Sequence, residues 1–392
     1  METDIVARMD GARVPSTRGA AAAVADAPRA SLSAWVGAVA KAAPPGLFPA
    51  WNVAAMRDAA EPLPAAAVSL FGYEVRLDDA SAGSDVLAAA SVADGGRAVL
   101  AGTPPHPVLP WEEAGWRSVR RFCAEWADRG SPLWEGADDL WLEWDAADPS
   151  APRIPSVFFG PRIDTGHAAG TPAERTMAVL RAGFGTLMEE GWSPAAAVRA
   201  RACLDALPEH ARVFQAGLML SRPGSPVRLC VGNLSAGEID RFLRRSAPAV
   251  AHDAARDALA RWAPLSVRIN LCIDVDEKVG RRVGLECYPD PPVGPFPPDR
   301  RPWAAFLDAL MRAGAAVPAR AGDLLALPAS VDPPEDSVDD EPRGLTGMDA
   351  LLAARYRRTL LVRLHHVKLS IEPDRPMTAK AYVAVKPGWR AC

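Results

Sequence analysis

Alternation of polar and apolar residues along its strand-forming segments constrains this chain more than any other feature. Residues 364–385 show it best. His366, Lys368 and Ser370 alternate with Val367, Leu369 and Ile371, and after a Pro-Asp-Arg-Pro turn Thr378, Lys380 and Tyr382 alternate with Ala379, Ala381 and Val383. Strand side chains point to opposite faces with period 2, so this hairpin carries one apolar and one polar face. The polar face is chemically unusual for this chain. Of 44 Lys plus Arg only five are lysines, at 41, 278, 368, 380 and 386, and two of the five share this face.

The same signature recurs four times upstream. Segments 74–79 with 85–92, 140–145 with 156–163, 213–221 with 227–231, and 266–274 with 282–288 each read as two short strands joined by a turn. Helical periodicity separates them, over 31–43, 51–60, 111–129, 171–190, 194–206, 235–245, 250–262, 303–313 and 345–356. Thr171 caps one helix with Pro172 at its first position and Glu174 three residues on. Residues 331–343 hold six acids and three prolines and read as a solvated loop. Residues 1–30 read as a disordered lead-in, and 31–392 as a single domain.

Five hairpins with interposed helices predict an α+β fold with an antiparallel sheet covered by helices on one side. Ten strands are near the point at which a twisted sheet closes, and closure removes both exposed edges. The faces agree. Val267, Ile269, Leu271 and Ile273, Val227, Leu229 and Val231, and Val367, Leu369 and Ile371 form an apolar set suited to packing under helices. Arg228, Cys230, Arg268, Asn270, Cys272, Asp274, Lys368, Ser370, Lys380 and Tyr382 form the opposite set. The expectation is a closed, antiparallel, ten-stranded barrel of five hairpins ringed by helices, with the polar set lining its lumen. The competing arrangement is a group of separate open sheets with solvent-facing hairpins.

Other chemistry has little purchase. A net charge of −4 lacks the basic stripe of a nucleic-acid binder. Neither an apolar run of about 18 residues nor a signal-peptide core is present, which predicts a cytoplasmic protein with no membrane partner. The six cysteines form no C-x-x-C pair and read as free thiols, and no zinc, P-loop, dinucleotide or serine-hydrolase motif occurs. Asp274-x-Asp276 reads as a polar hairpin tip. His365 and His366, adjacent on a strand, are expected to point to opposite faces and so not to share a ligand.

An alternating barrel with a Lys-, Arg- and Tyr-lined lumen resembles the ABBA (αββα) aromatic prenyltransferases, over about residues 65–385. Lys380-x-Tyr382 looks like the Lys-x-Tyr strand pairs that hold diphosphate in that family. Arg228-x-Cys230, Arg268-x-Asn270 and Lys368-x-Ser370 keep the cation without the tyrosine, and the chain has only four tyrosines, at 73, 288, 356 and 382. The resemblance implies a natural-product transferase moving a prenyl group from an allylic diphosphate to an aromatic or peptide acceptor. It implies no required cofactor and leaves Mg2+ open. Arg76, Arg228, Arg268, Lys368 and Lys380 would hold the anion, while Tyr288, Tyr382 and Trp141 would shield a carbocation. Glu143, on one face with Trp141 and Asp145, would accept the acceptor's proton, with Glu74 the alternative. The sparse tyrosines favour a second expectation: a barrel of the same architecture that binds or modifies a peptide or amphipathic small molecule without prenyl chemistry.

Overall fold

The computed structural model describes residues 31–102, 109–148, 150–151, 153–162, 170–222, 224–247, 249–291, 296–334 and 356–391. Its strands are β1 (Leu70–Arg76), β2 (Ser84–Ser91), β3 (Ala137–Trp144), β4 (Ser156–Pro161), β5 (Arg212–Leu218), β6 (Val227–Gly232), β7 (Arg268–Val275), β8 (Val279–Tyr288), β9 (Ser330–Val331), β10 (Tyr356–Ile371) and β11 (Thr378–Ala391). All pair antiparallel in the order β11-β1-β2-β3-β4-β5-β6-β7-β8-β10, and β11 also pairs with β10. The ten long strands therefore close into a barrel of five hairpins, as the alternation predicts. The two-residue β9 adds only to the outer end of β10. Successive antiparallel strands bring all five hairpin turns to one end.

Eleven α-helices among the described residues form the outer layer. They are α1 (Leu32–Ala42), α2 (Ala50–Ala60), α3 (Gly96–Leu100), α4 (Ala114–Ala127), α5 (Pro132–Gly136), α6 (Pro172–Leu187), α7 (Pro194–Asp205), α8 (Ala236–Ser246), α9 (Ala249–Trp262), α10 (Arg301–Arg312) and α11 (Pro318–Leu325). The capping box read at Thr171 and Glu174 forms, and Ser235 and Glu238 make a second at the start of α8. The expected lead-in 1–30, the expected helix 345–356 up to residue 355, and most of the acidic loop fall outside the described residues, and residue 356 itself begins β10.

The core lies between the barrel's apolar face and the helices. Phe159 of β4 sits 5.3 Å from both Phe122 of α4 and Phe184 of α6. Phe71 and Tyr73 of β1 point the same way: Tyr73 packs 4.7 Å from Phe48 and donates its hydroxyl to the Val36 carbonyl. That takes one of the four tyrosines out of the lumen. Val267, grouped by alternation with the apolar face, precedes β7 and is 62% exposed. Inside the barrel, the Phe158 ring covers Gly217 so closely that a Cβ there would lie 2.0 Å from it. Glycine is the residue that lets this ring lie flat across the lumen.

Candidate functional site

A cavity of about 750 Å³ occupies the barrel lumen and opens at the hairpin-turn end, where Ala147, Asp148, Arg222, Glu372 and Arg375 form its mouth. Six of the nine residues singled out by sequence line it: Arg76, Glu143, Arg228, Lys368, Lys380 and Tyr382. The alternative base, Glu74, lines it as well. Arg268, Tyr288 and Trp141 do not. Tyr288 lies beyond it, 2% exposed, with the Arg268 guanidinium 3.7 Å above its ring. Trp141 is opposed in register to Phe158 on β4. These three sit on the expected face of their strands but away from the open volume.

Register explains how the cations meet. Arg76 on β1 is directly opposite Lys380 on β11, and Lys380 is directly opposite Lys368 on β10. Three cations thus stand in one row across three strands. Like charges directly opposite one another in a sheet are destabilising, so such a row needs compensation. Carboxylates supply part of it. Glu74 accepts from both the Lys380 ammonium and the Tyr382 hydroxyl. Asp85 lies 3.7 Å from Lys380, and Glu286 lies 3.9 Å from Lys368. On the adjoining wall Arg228 and Arg282 share Asp274, at 2.8 and 2.6 Å. Both oxygens of Asp274 are thereby engaged, which leaves this carboxylate unsuited to a hard divalent cation such as Mg2+.

The carboxyls divide by environment. Burial pushes Glu74 up, but Lys380 and Tyr382 outweigh it and hold the group down at about 2. Glu286 is likewise held at about 2 against its burial, with Lys368 the permanent cation beside it. Burial and the nearby Glu74 charge raise Asp85 and Glu143 to about 7. Among the described residues Glu143 has no hydrogen-bond partner, and it faces the cavity. The two carboxyls held at about 2 thus sit on β1 and β8, each near a lysine, and the two raised to about 7 sit on β2 and β3.

Two features depart from the sequence expectation. A β-bulge between Leu364 and His366 adds a residue to β10. Both histidine rings consequently lie against Tyr288, at 5.4 and 5.2 Å, with their Nδ1 atoms 2.8 Å apart. Strict alternation placed them on opposite faces, and the bulge is the physical reason it fails. His366 also stacks on Tyr382 at 4.2 Å. Burial, with Lys368 and Arg268 nearby, lowers His366 to about 4, so the ring is neutral at pH 7. Arg282 and Asp85 are the second departure, absent from the sequence candidates. Arg282 shares the period-2 face of Glu286 and Tyr288, so extending that face by two steps finds it. Asp85 has no signal until β1 and β2 are registered, when it falls opposite Glu74.

No family model and no curated protein matches the chain. Among solved structures it is similar to prenyltransferase PriB in ternary complex with L-tryptophan and dimethylallyl thiolodiphosphate, with 13% identity over 91% of this chain and 94% of that chain, TM-score 0.48. It is also similar to 5-dimethylallyltryptophan synthase from Streptomyces coelicolor, with 16% identity over 90% of this chain and 95% of that chain, TM-score 0.46. No helix among the described residues is long and apolar enough to cross a membrane.

Proposed function

We propose that the chain is a transferase that ionises an allylic diphosphate in the barrel lumen and passes the prenyl group to an aromatic or peptide acceptor. The observation that carries this is the row Arg76–Lys380–Lys368, three opposed cations facing one enclosed cavity. An anion bridging them relieves their mutual repulsion. Arg228 and Arg282, two guanidiniums on one carboxylate, leave a net positive charge for the same ligand. In the low-dielectric lumen such preorganised cations stabilise a departing diphosphate more strongly than water does.

In the reaction the allylic C–O bond breaks and its electron pair leaves with the diphosphate. A ring carbon of the acceptor attacks the allylic cation, and its proton passes to Glu143. The closed wall excludes water from the cation. The Tyr382 ring, held by Glu74 and backed by His366, supplies a π face. Arg268 and Tyr288 support this stack from behind rather than touching the donor.

The acids that pair with the lumen cations favour the second reading, a binding barrel without carbocation chemistry. One experiment separates the two. The protein is incubated with dimethylallyl or geranyl diphosphate and with tryptophan, tyrosine or a peptide containing them, and followed by thermal shift and mass spectrometry. The expected result is a donor-dependent rise in Tm and an acceptor heavier by one prenyl unit. Lys380→Ala is expected to weaken donor binding at least tenfold. A donor that neither shifts Tm nor is consumed sinks the transferase reading.

A further inference from the structure

Cys230 on β6 and Cys272 on β7 are directly opposed across their ladder. Their sulfurs are 3.2 Å apart, and Cys272 Sγ is also 3.2 Å from Oε1 of Glu286 on β8. The three donor atoms all lie within 4.8 Å of one another and are nearly sealed, the residues being 0, 2 and 5% exposed. The prenyl-transfer reading gives this cluster no task. We propose that Cys230, Cys272 and Glu286 form a three-ligand site for a thiophilic divalent cation such as Zn2+, with its fourth position open to the cavity.

The geometry is close to what such an ion needs. With Zn–S bonds near 2.3 Å, a tetrahedral ion holds two sulfurs about 3.7 Å apart and a sulfur and a carboxylate oxygen about 3.5 Å apart. The Cys230–Cys272 and Cys272–Glu286 separations, both 3.2 Å, are a few tenths of an ångström shorter than this, and that between Cys230 and Glu286 is within 4.8 Å, so side-chain rotations can bring the three donors into place. The carboxylate is also oriented. Its second oxygen accepts from the Asn270 amide at 3.2 Å and faces the Tyr288 hydroxyl at 3.5 Å, leaving Oε1 toward the sulfurs. Such outer partners fix the ligands of metal sites.

Access and charge agree. Cys272 and Gly284 both line the cavity. A Cβ on Gly284 would lie 3.0 Å from the Cys272 Cβ and 3.5 Å from the Lys368 Cε, so glycine keeps the approach to the thiol clear. Two thiolates and a carboxylate carry three negative charges, a divalent ion cancels two, and Lys368 beside Glu286 cancels the third. Without the ion the contact with Cys230 and burial keep the Cys272 thiol protonated, so binding releases its proton to solvent. A disulfide would use the two sulfurs, but it gives the oriented carboxylate no role.

The test uses the full chain, stripped with a chelator and kept reduced by a phosphine. Co2+ is added as a spectroscopic probe, with Zn2+ as competitor. The expected result is uptake of one equivalent of Co2+ with thiolate-to-cobalt charge-transfer absorption, displaced by Zn2+. Cys272→Ser and Glu286→Gln should each weaken uptake at least tenfold, while Cys203→Ala, in the helical layer, should not. Near-ultraviolet circular dichroism checks that each variant is folded, and Glu286→Gln alone decides if the cysteine variant is not. Absence of the absorption in the parent protein overturns the proposal. So does uptake unchanged in Glu286→Gln, or a Cys230–Cys272 disulfide that persists under reductant in place of ion binding.

Discussion

At the scale of single residues, the two candidate bases that line the lumen have opposite electrostatics. Glu74 is held at about 2 by Lys380 and Tyr382, whereas Glu143 is raised to about 7 by burial and the Glu74 charge. A base works in its deprotonated form, so the two assignments predict different pH profiles. With Glu143 as base, kcat/KM climbs roughly tenfold per pH unit below about 7 and levels above it. Glu143→Gln should lower turnover by roughly a hundredfold or more, remove that limb and leave donor affinity unchanged. A profile flat between about pH 5 and 8 would assign the base to Glu74 instead. Sequence alternation placed both carboxylates on the lumen face, since each sits between apolar neighbours on its strand. Their division of labour was not legible, because it depends on Tyr382 and Lys380 lying across the β1–β11 seam, about three hundred residues away in the chain.

At the scale of an element, β10 shows where periodicity stops being sufficient. Its apolar residues Leu360, Val362 and Leu364 before the bulge, and Val367 and Leu369 after it, are all buried. No single period-2 pattern puts both sets on the same face, and the extra residue reconciles them. Deleting His365 removes that residue. Leu364 then joins His366 directly, and because their β11 partners Val383 and Tyr382 are already adjacent, the register is kept and Leu360, Val362 and Leu364 stay on the helix-facing side. His365→Ala keeps the bulge and loses only a ring contact. The deletion and the substitution should therefore each cost about 1 kcal/mol in urea unfolding, whereas an alanine inserted after Val362, which turns Leu360 and Val362 toward the lumen, should cost several kcal/mol. A deletion as costly as the insertion would mean that the bulge itself, and not the β10–β11 pairing, holds the register. The hairpin itself was legible because its two faces differ in chemistry, but a bulge leaves no mark in composition. Cys230 and Cys272 make the same point from the other side. They are 42 positions apart and fit no metal-ligand spacing, and only the β6–β7 register brings their sulfurs together.

For the whole molecule, five alternating hairpins separated by helices were enough to anticipate closure, because ten strands with one apolar face have few other ways to bury it. What closure does to the lumen charges was not legible, and it has a measurable consequence. Burial raises Asp85, Asp139 and Glu143 to about 7 in the folded protein. One oxygen of Asp139 is buried without a partner, as a protonated carboxyl tolerates better than a charged one. In the unfolded chain all three titrate near 4. Between about pH 7 and 4 the folded state therefore holds three protons that the unfolded state lacks, which stabilises the fold as pH falls. His365 and His366 act in the opposite direction. Burial lowers both, so below about 6.5 the unfolded state binds two protons that the folded state excludes. The three carboxyls outweigh the two histidines, so stability should rise by about 3 kcal/mol from pH 7.5 to 5. Below about 4.5 Glu74 and Glu286 reverse the trend, since both stay ionised in the folded state down to about 2. Urea midpoints measured across this range should peak near pH 5, and Glu143→Gln, which removes one of the three carboxyls, should flatten the rise. A midpoint that falls steadily from pH 7.5 to 5 would mean that the lumen carboxyls are solvated and ionised, and that the barrel is open to water.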